Sequence, residues 1–163
     1  MNKSHLDNIL NNAVHFSKNS DPWKIVLPMI LIDKFILDKT DAILLTNFGL
    51  LRSESDVLVA LFFNDKILSP TELYEAMLFS SGGMTKVLKR LEDKELISRL
   101  PSPTDKRSLL VQLESKGQTL IEEALLSIAE YQSQFLSILD DNENKVIKQA
   151  FKKLAYALLV DDQ

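Results

Sequence analysis

Between Ser69 and Leu113 the spacing of apolar residues changes its period, and that change restricts the fold more than any other feature of the chain. Ser69-Pro70-Thr71-Glu72 is a capping box with proline at the first helical position. It opens "TELYEAML", in which Leu73, Ala76 and Met77 recur at spacings of three and four. Phe79-Ser80-Ser81 interrupts the pattern. Ser80 or Ser81 then caps a second helix, whose Met84, Val87, Leu88 and Leu91 form one apolar stripe at i, i+3, i+4 and i+7. Two short helices joined by so tight a turn make a helix-turn-helix unit. After Leu96 the period drops to two. "LISRL" and "RSLLVQL" read as strands, and "PSPTDK" between them is rich in turn formers, so a β-hairpin with a protruding tip is expected.

Helices are expected on both sides of this centre. Asp21-Pro22 is an N-cap followed by proline at the first helical position, and "WKIVLPMILIDKFIL" after it is apolar on nearly all sides. Such a helix is buried either in a core or against a partner chain, and Pro28 should kink or interrupt it. Ser53 can cap a short helix carrying Val57, Leu58 and Leu61. Ser115-Lys116-Gly117-Gln118 is a further capping box, leading into a long helix with Ile121, Ala124, Leu125, Ile128, Phe135 and Leu139. Asp140 or Asp141 can cap a last helix carrying Val146, Ile147, Ala150, Phe151, Leu154 and Leu158. The expected fold class is mainly α (α+β).

The 163 residues suit one large domain or two small lobes sharing a core. Cysteine is absent, which excludes a disulfide framework, a thiolate zinc site and a cysteine-oxidation switch. His5 and His15 lie ten apart with no acidic or nucleophilic partner at a telling spacing, and Gly82-Gly83 lacks the strand-loop-lysine context of a phosphate-binding loop. No enzyme, metal site or cofactor is expected. "MNKSHLDNILNNAVHF" has no continuous apolar core of the signal-peptide kind, and the longest apolar run, Ile25 to Ile32, is too short to span a bilayer. A cytoplasmic location is expected.

Charge is distributed unevenly. The chain carries a formal −4, yet Met84 to Arg107 holds seven basic residues against four acidic ones. That window is +3, which leaves −7 for the remainder. A charge run is ordinarily a solvated face, but here it coincides with particular geometry. Opposite the apolar stripe of the second helix stand Gly82, Thr85, Lys86, Lys89 and Arg90. A basic, hydroxyl-bearing outer face on the helix that ends a helix-turn-helix matches a major-groove reader. The glycines either permit the sharp turn or keep the helix start clear for a DNA phosphate at its free N–H groups, and the two uses are compatible. Arg99 flanks the hairpin, while Asp105, Lys106 and Arg107 lie at or just after its tip. Asp105 and Arg107 can face the same side of an extended segment, so the carboxylate can orient the guanidinium for a narrow A·T-rich minor groove.

"SPTELYEAM", "SSGGMTKVLKRLEDKELISR" and "PSPTDKRSLLVQLESKGQTLIEEAL" together resemble the winged helix-turn-helix of the multiple-antibiotic-resistance regulator (MarR) family. The family's Asp-x-Arg wing pattern falls on Asp105 and Arg107, and the likeness covers roughly residues 53 to 126. One departure is Glu95, where such proteins usually carry glycine. The resemblance implies a winged helix-turn-helix DNA-binding domain over 53–115, a helical dimerisation region over 21–50 and 116–160, and a polar extension over 1–20. It implies a homodimeric transcription regulator, a repressor by expectation, on a pseudo-palindromic operator of double-stranded DNA with half-sites about 10 bp apart. The DNA-binding residues expected are Ser80, Ser81, Gly82, Thr85, Lys86, Lys89, Arg90, Arg99, Asp105, Lys106 and Arg107. A small amphipathic or aromatic ligand is a further implied partner, with Trp23, Leu27, Phe48 and Tyr131 as wall residues that serve equally well as plain core. The alternative is a winged-helix module that docks proteins and carries no DNA.

Overall fold

The computed structural model describes residues 3–12, 22–77, 83–102 and 109–160. In chain order the elements are α1 (Lys3–Asn12), α2 (Pro22–Phe48), α3 (Arg52–Phe63), β1 (Ile67–Leu68), α4 (Pro70–Ala76), α5 (Met84–Asp93), β2 (Ile97–Pro101), β3 (Leu109–Leu113), α6 (Ser115–Leu136) and α7 (Asp141–Val160). Two compact units share them, Met1–Ala124 and Leu125–Gln163.

In the first unit α3 packs on α2, α4, α5 and β3, and α5 packs on β2. Val57, Leu58 and Leu61 from α3 meet Leu73 from α4 and the whole expected stripe of α5, with Met84, Val87, Leu88 and Leu91 all buried. Burial of each such side chain is worth about 1.5–3 kcal/mol. Leu96, Ile97, Val111, Leu113, Ile121 and Ala124 complete this core. The hairpin forms as expected: β2 and β3 are antiparallel from Ile97 opposite Leu113 to Pro101 opposite Leu109. A third strand, β1, pairs along the other edge of β3, giving the order β1-β3-β2. At two residues, β1 is too short for a period-two signal in the sequence.

Local starts and stops follow the sequence in some places and not in others. At α4, Ser69 Oγ accepts the Glu72 N–H while Glu72 Oε2 accepts the Ser69 N–H, the full capping box. Asp140 and Glu143 make the same reciprocal pair at the start of α7. Ser53, by contrast, lies inside the first turn of α3; the helix begins at Arg52 and the Leu51 N–H donates to Glu54 Oε2 at 2.9 Å. The box expected at Ser115 does not form either, because Gln118 Oε1 accepts Lys66 Nζ at 2.8 Å. Pro28 lies within α2, which is helical throughout its 27 residues. The 1–20 stretch, read as a polar extension, contains α1, which lies against α2.

The second unit comprises the later part of α6 and α7. Along α7, Val146, Phe151, Leu154 and Leu158 are exposed. Among the described residues no helix is long and apolar enough to cross a membrane.

Candidate nucleic-acid interface

Helix α5 divides cleanly into two faces. Its apolar stripe is buried, whereas Thr85, Lys86 and Lys89 are exposed, as expected. Among the described residues neither lysine is within ion-pair distance of a carboxylate, unlike Arg90, Lys94 and Arg99. Gly83, at the N-cap, has φ 83°, a left-handed conformation that L side chains rarely adopt. This glycine turns the chain into α5, in line with the turn-forming use of the pair. Ser80, Ser81 and Gly82 before it, and Asp105, Lys106 and Arg107 near the hairpin tip, lie outside the described residues.

Two cations expected to meet DNA, Arg90 on the outer face and Arg99 beside the hairpin, are held by carboxylates. Arg90 Nε donates to Glu54 Oε1 at 2.9 Å, with its side chain 41% exposed. Arg99, on β2, donates from Nη2 to Glu92 Oε2 at 3.0 Å, tying the hairpin to α5. Its Nε is buried with no hydrogen-bond partner among the described residues. Thr85, Lys89, Glu92, Asp93 and Arg99 line an open groove of about 540 Å³ along α5 and β2.

Glu54 is the residue that the sequence reading passed over. It is 1% exposed, yet it accepts Arg90 Nε, Lys94 Nζ at 2.8 Å and the Leu51 N–H. Lys94 Nζ also donates to the Gly49 carbonyl at 3.0 Å. Burial pushes the Glu54 carboxyl up, but the hydrogen bonds from Lys94, Leu51 and Arg90, with the Lys94 charge, outweigh it and hold the group below its ordinary value. A signal existed: Glu54 stands at i of the i, i+3, i+4, i+7 stripe completed by Val57, Leu58 and Leu61, a position that asks for an apolar residue. A charge there implies a buried partner.

The end of α5 is closed by Glu95, with φ 60°. The Glu95 N–H donates to the Glu92 carbonyl and the Leu96 N–H to the Leu91 carbonyl, the Schellman pattern in which glycine is usual. Lys116 Nζ reinforces this corner by donating to the Lys94 carbonyl at 2.8 Å and to Glu95 Oε2 at 3.3 Å. A Cβ added at Gly117 would overlap the Leu96 carbonyl oxygen, so only glycine lets α6 start this close to β2. The departure from glycine at Glu95 thus leaves the turn itself intact.

Of the expected ligand-wall residues, Trp23, Leu27 and Phe48 lie on α2, with Trp23 exposed and the other two half-buried. Tyr131, half-buried, lies on the part of α6 in the second unit. An apolar cavity of about 250 Å³ beside α2 is lined instead by Leu6, Pro28, Leu31, Ile32 and Phe35. Among the described residues no group of three or more His, Asp or Glu side chains is placed to hold a metal ion.

Residues 48–108, which span α3 to β2, match a family model described as MarR family. Over those residues the chain is similar to the MarR family. It is 31% identical over 83 residues to the HTH-type transcriptional regulator MhqR of Bacillus subtilis, a match covering 51% of this chain and 57% of that one. The chain thus spans little more than half the length of this curated relative. Among solved structures, YusO from Bacillus subtilis superposes with a TM-score of 0.66 at 25% identity, over 86% of this chain and 99% of that one. A C80S mutant of Escherichia coli MarR complexed with operator DNA superposes with a TM-score of 0.63 at 24% identity, over 83% and 99% of the respective chains. These neighbours share the winged-helix fold expected from the sequence.

Proposed function

We propose that the chain is a homodimeric transcription regulator, a repressor, that binds a pseudo-palindromic operator in double-stranded DNA. In this reading residues 53–115 meet the DNA, and residues 21–50 with 116–160 carry the contact between copies. One observation supports it above the rest: Thr85, Lys86 and Lys89 stand exposed on the helix whose opposite face is wholly buried. Two unneutralised lysines one turn apart suit phosphate spacing and groove entry, and fixed packing of the apolar stripe sets which side chains reach the bases. A protein-docking module would carry apolar or acidic side chains on that face, so the DNA reading is favoured. The operator complex of a fold relative supports it further.

Selection of bound sequences from random duplex DNA at physiological salt is the direct test, and a palindromic consensus is expected. Lys89→Ala should then weaken binding to that consensus and reduce the slope of log affinity against log salt by about one unit. An unchanged slope in a folded Lys89→Ala protein would remove the major-groove assignment of α5.

A further inference from the structure

We infer that Glu54 is a positioning residue for DNA recognition, its buried carboxylate withholding Arg90 and Lys94 from the DNA so that both serve the setting of α5 rather than phosphate neutralisation. This rests on the DNA-binding reading above. Glu54 is anchored by the Leu51 N–H at the start of α3, and its two oxygens divide the cations of α5 between them: Oε1 takes Arg90, while Oε2 takes Lys94 and Leu51. Arg90 on α5 and Lys94 at its C-cap are one turn apart, so two attachments fix both the rotation of α5 about its axis and its slide along α3. A single attachment would leave one of those free. Lys94 adds a third point through the Gly49 carbonyl at the end of α2. The exposed direction of Thr85, Lys86 and Lys89 is therefore set by two neighbouring cations, Arg90 one turn beyond Lys86 and Lys94 at the helix end.

The same pairing has an electrostatic consequence. The Arg90 and Lys94 side chains are 41% and 40% exposed, so they reach the surface while their charged ends point at a 1% exposed carboxylate. With the carboxylate neutralised, both cations can swing to solvent without unfolding of α5. They would then join Lys86 and Lys89 in attracting any polyanion, whatever its sequence. Affinity for arbitrary DNA would rise, because each added phosphate contact releases a counterion. Discrimination would fall, because the helix would lose its fixed setting.

The test compares wild type with Glu54→Gln, Arg90→Gln, Lys94→Gln and Lys89→Gln as full chains. Each is titrated against the selected operator and a scrambled duplex of equal length over a range of salt. Glu54→Gln is expected to bind the scrambled duplex roughly three- to tenfold more tightly, with a salt slope steeper by about one to two units, while its preference for the operator shrinks. Arg90→Gln and Lys94→Gln are expected to keep the wild-type slope on the scrambled duplex and to lose operator preference, whereas Lys89→Gln loses about one unit of slope. A merely structural role for Glu54 would weaken both duplexes together and leave the slope alone, which would overturn the inference. So would an Arg90→Gln slope that drops as far as that of Lys89→Gln. Should Glu54→Gln not fold, the arginine and lysine variants decide the matter by the same slopes. A wild-type protein that ignores both duplexes would sink the DNA-binding reading itself, while a wild type that binds and variants that behave alike would sink only the role of Glu54.

Discussion

Glu95 holds a conformation that L-residues avoid, at a cost of about 1–2 kcal/mol relative to a relaxed backbone. Its compensation is one 3.3 Å ion pair with Lys116, and both side chains are largely exposed, so that pair returns little. Glu95→Gly should therefore stabilise the protein by about 1 kcal/mol, read as an increased denaturation midpoint with an unchanged m-value. Asp56 has the opposite relation to its surroundings from Glu54 two residues earlier. Burial pushes its carboxyl from 3.8 up to about 6; the Arg52 charge opposes the rise and the Asp41 carboxylate adds to it. The folded state thus holds a proton that the unfolded chain releases, so this contribution is present in full below pH 3.8 and is lost as pH rises to about 6. Asp56→Asn mimics the protonated form. Its melting temperature should match wild type in acid, rise above it across that window and stay above it at neutral pH, as thermal melts at stepped pH would show.

Among the elements, α4 has only seven residues and depends on its first turn. Ser69→Ala removes the acceptor for the Glu72 N–H and should destabilise the protein by about 1 kcal/mol, measured by chemical denaturation. The Ser69 box and a cap at Asp140 or Asp141 were legible because the partners lie three residues away and nothing distant competes. The Ser115 box was not, since Gln118 answers to Lys66, 52 residues earlier in the chain. The start of α3 failed for a related reason: Glu54 is drawn inward by Arg90 of α5 and by Lys94 at its C-cap, and Leu51 uses the carboxylate that results. The β1 strand exists only because β3 offers it an edge.

At the scale of the whole molecule, two helices leave apolar side chains uncovered. Ile25, Ile30 and Phe35 of α2 are 61%, 54% and 52% exposed, and on α7 Phe151, Leu154 and Leu158 stand open as well. Such surface on a chain of this size fits a second copy. Sedimentation should give twice the 18.5 kDa chain mass, and Leu154→Glu should shift the protein toward the single-chain value while leaving its helix content unchanged. The chain by itself determined the helix-turn-helix, the hairpin, the buried stripe of α5 and the exposure of Lys86 and Lys89, because each follows from residues within a few positions of one another. Only the tertiary structure decided which cations stay free. Arg90 and Lys94 meet an acid 36 and 40 residues away, and Arg99 on β2 meets Glu92 on α5. Local periodicity can say which face of a helix a charge occupies, but an ion pair depends on what the fold brings to that face.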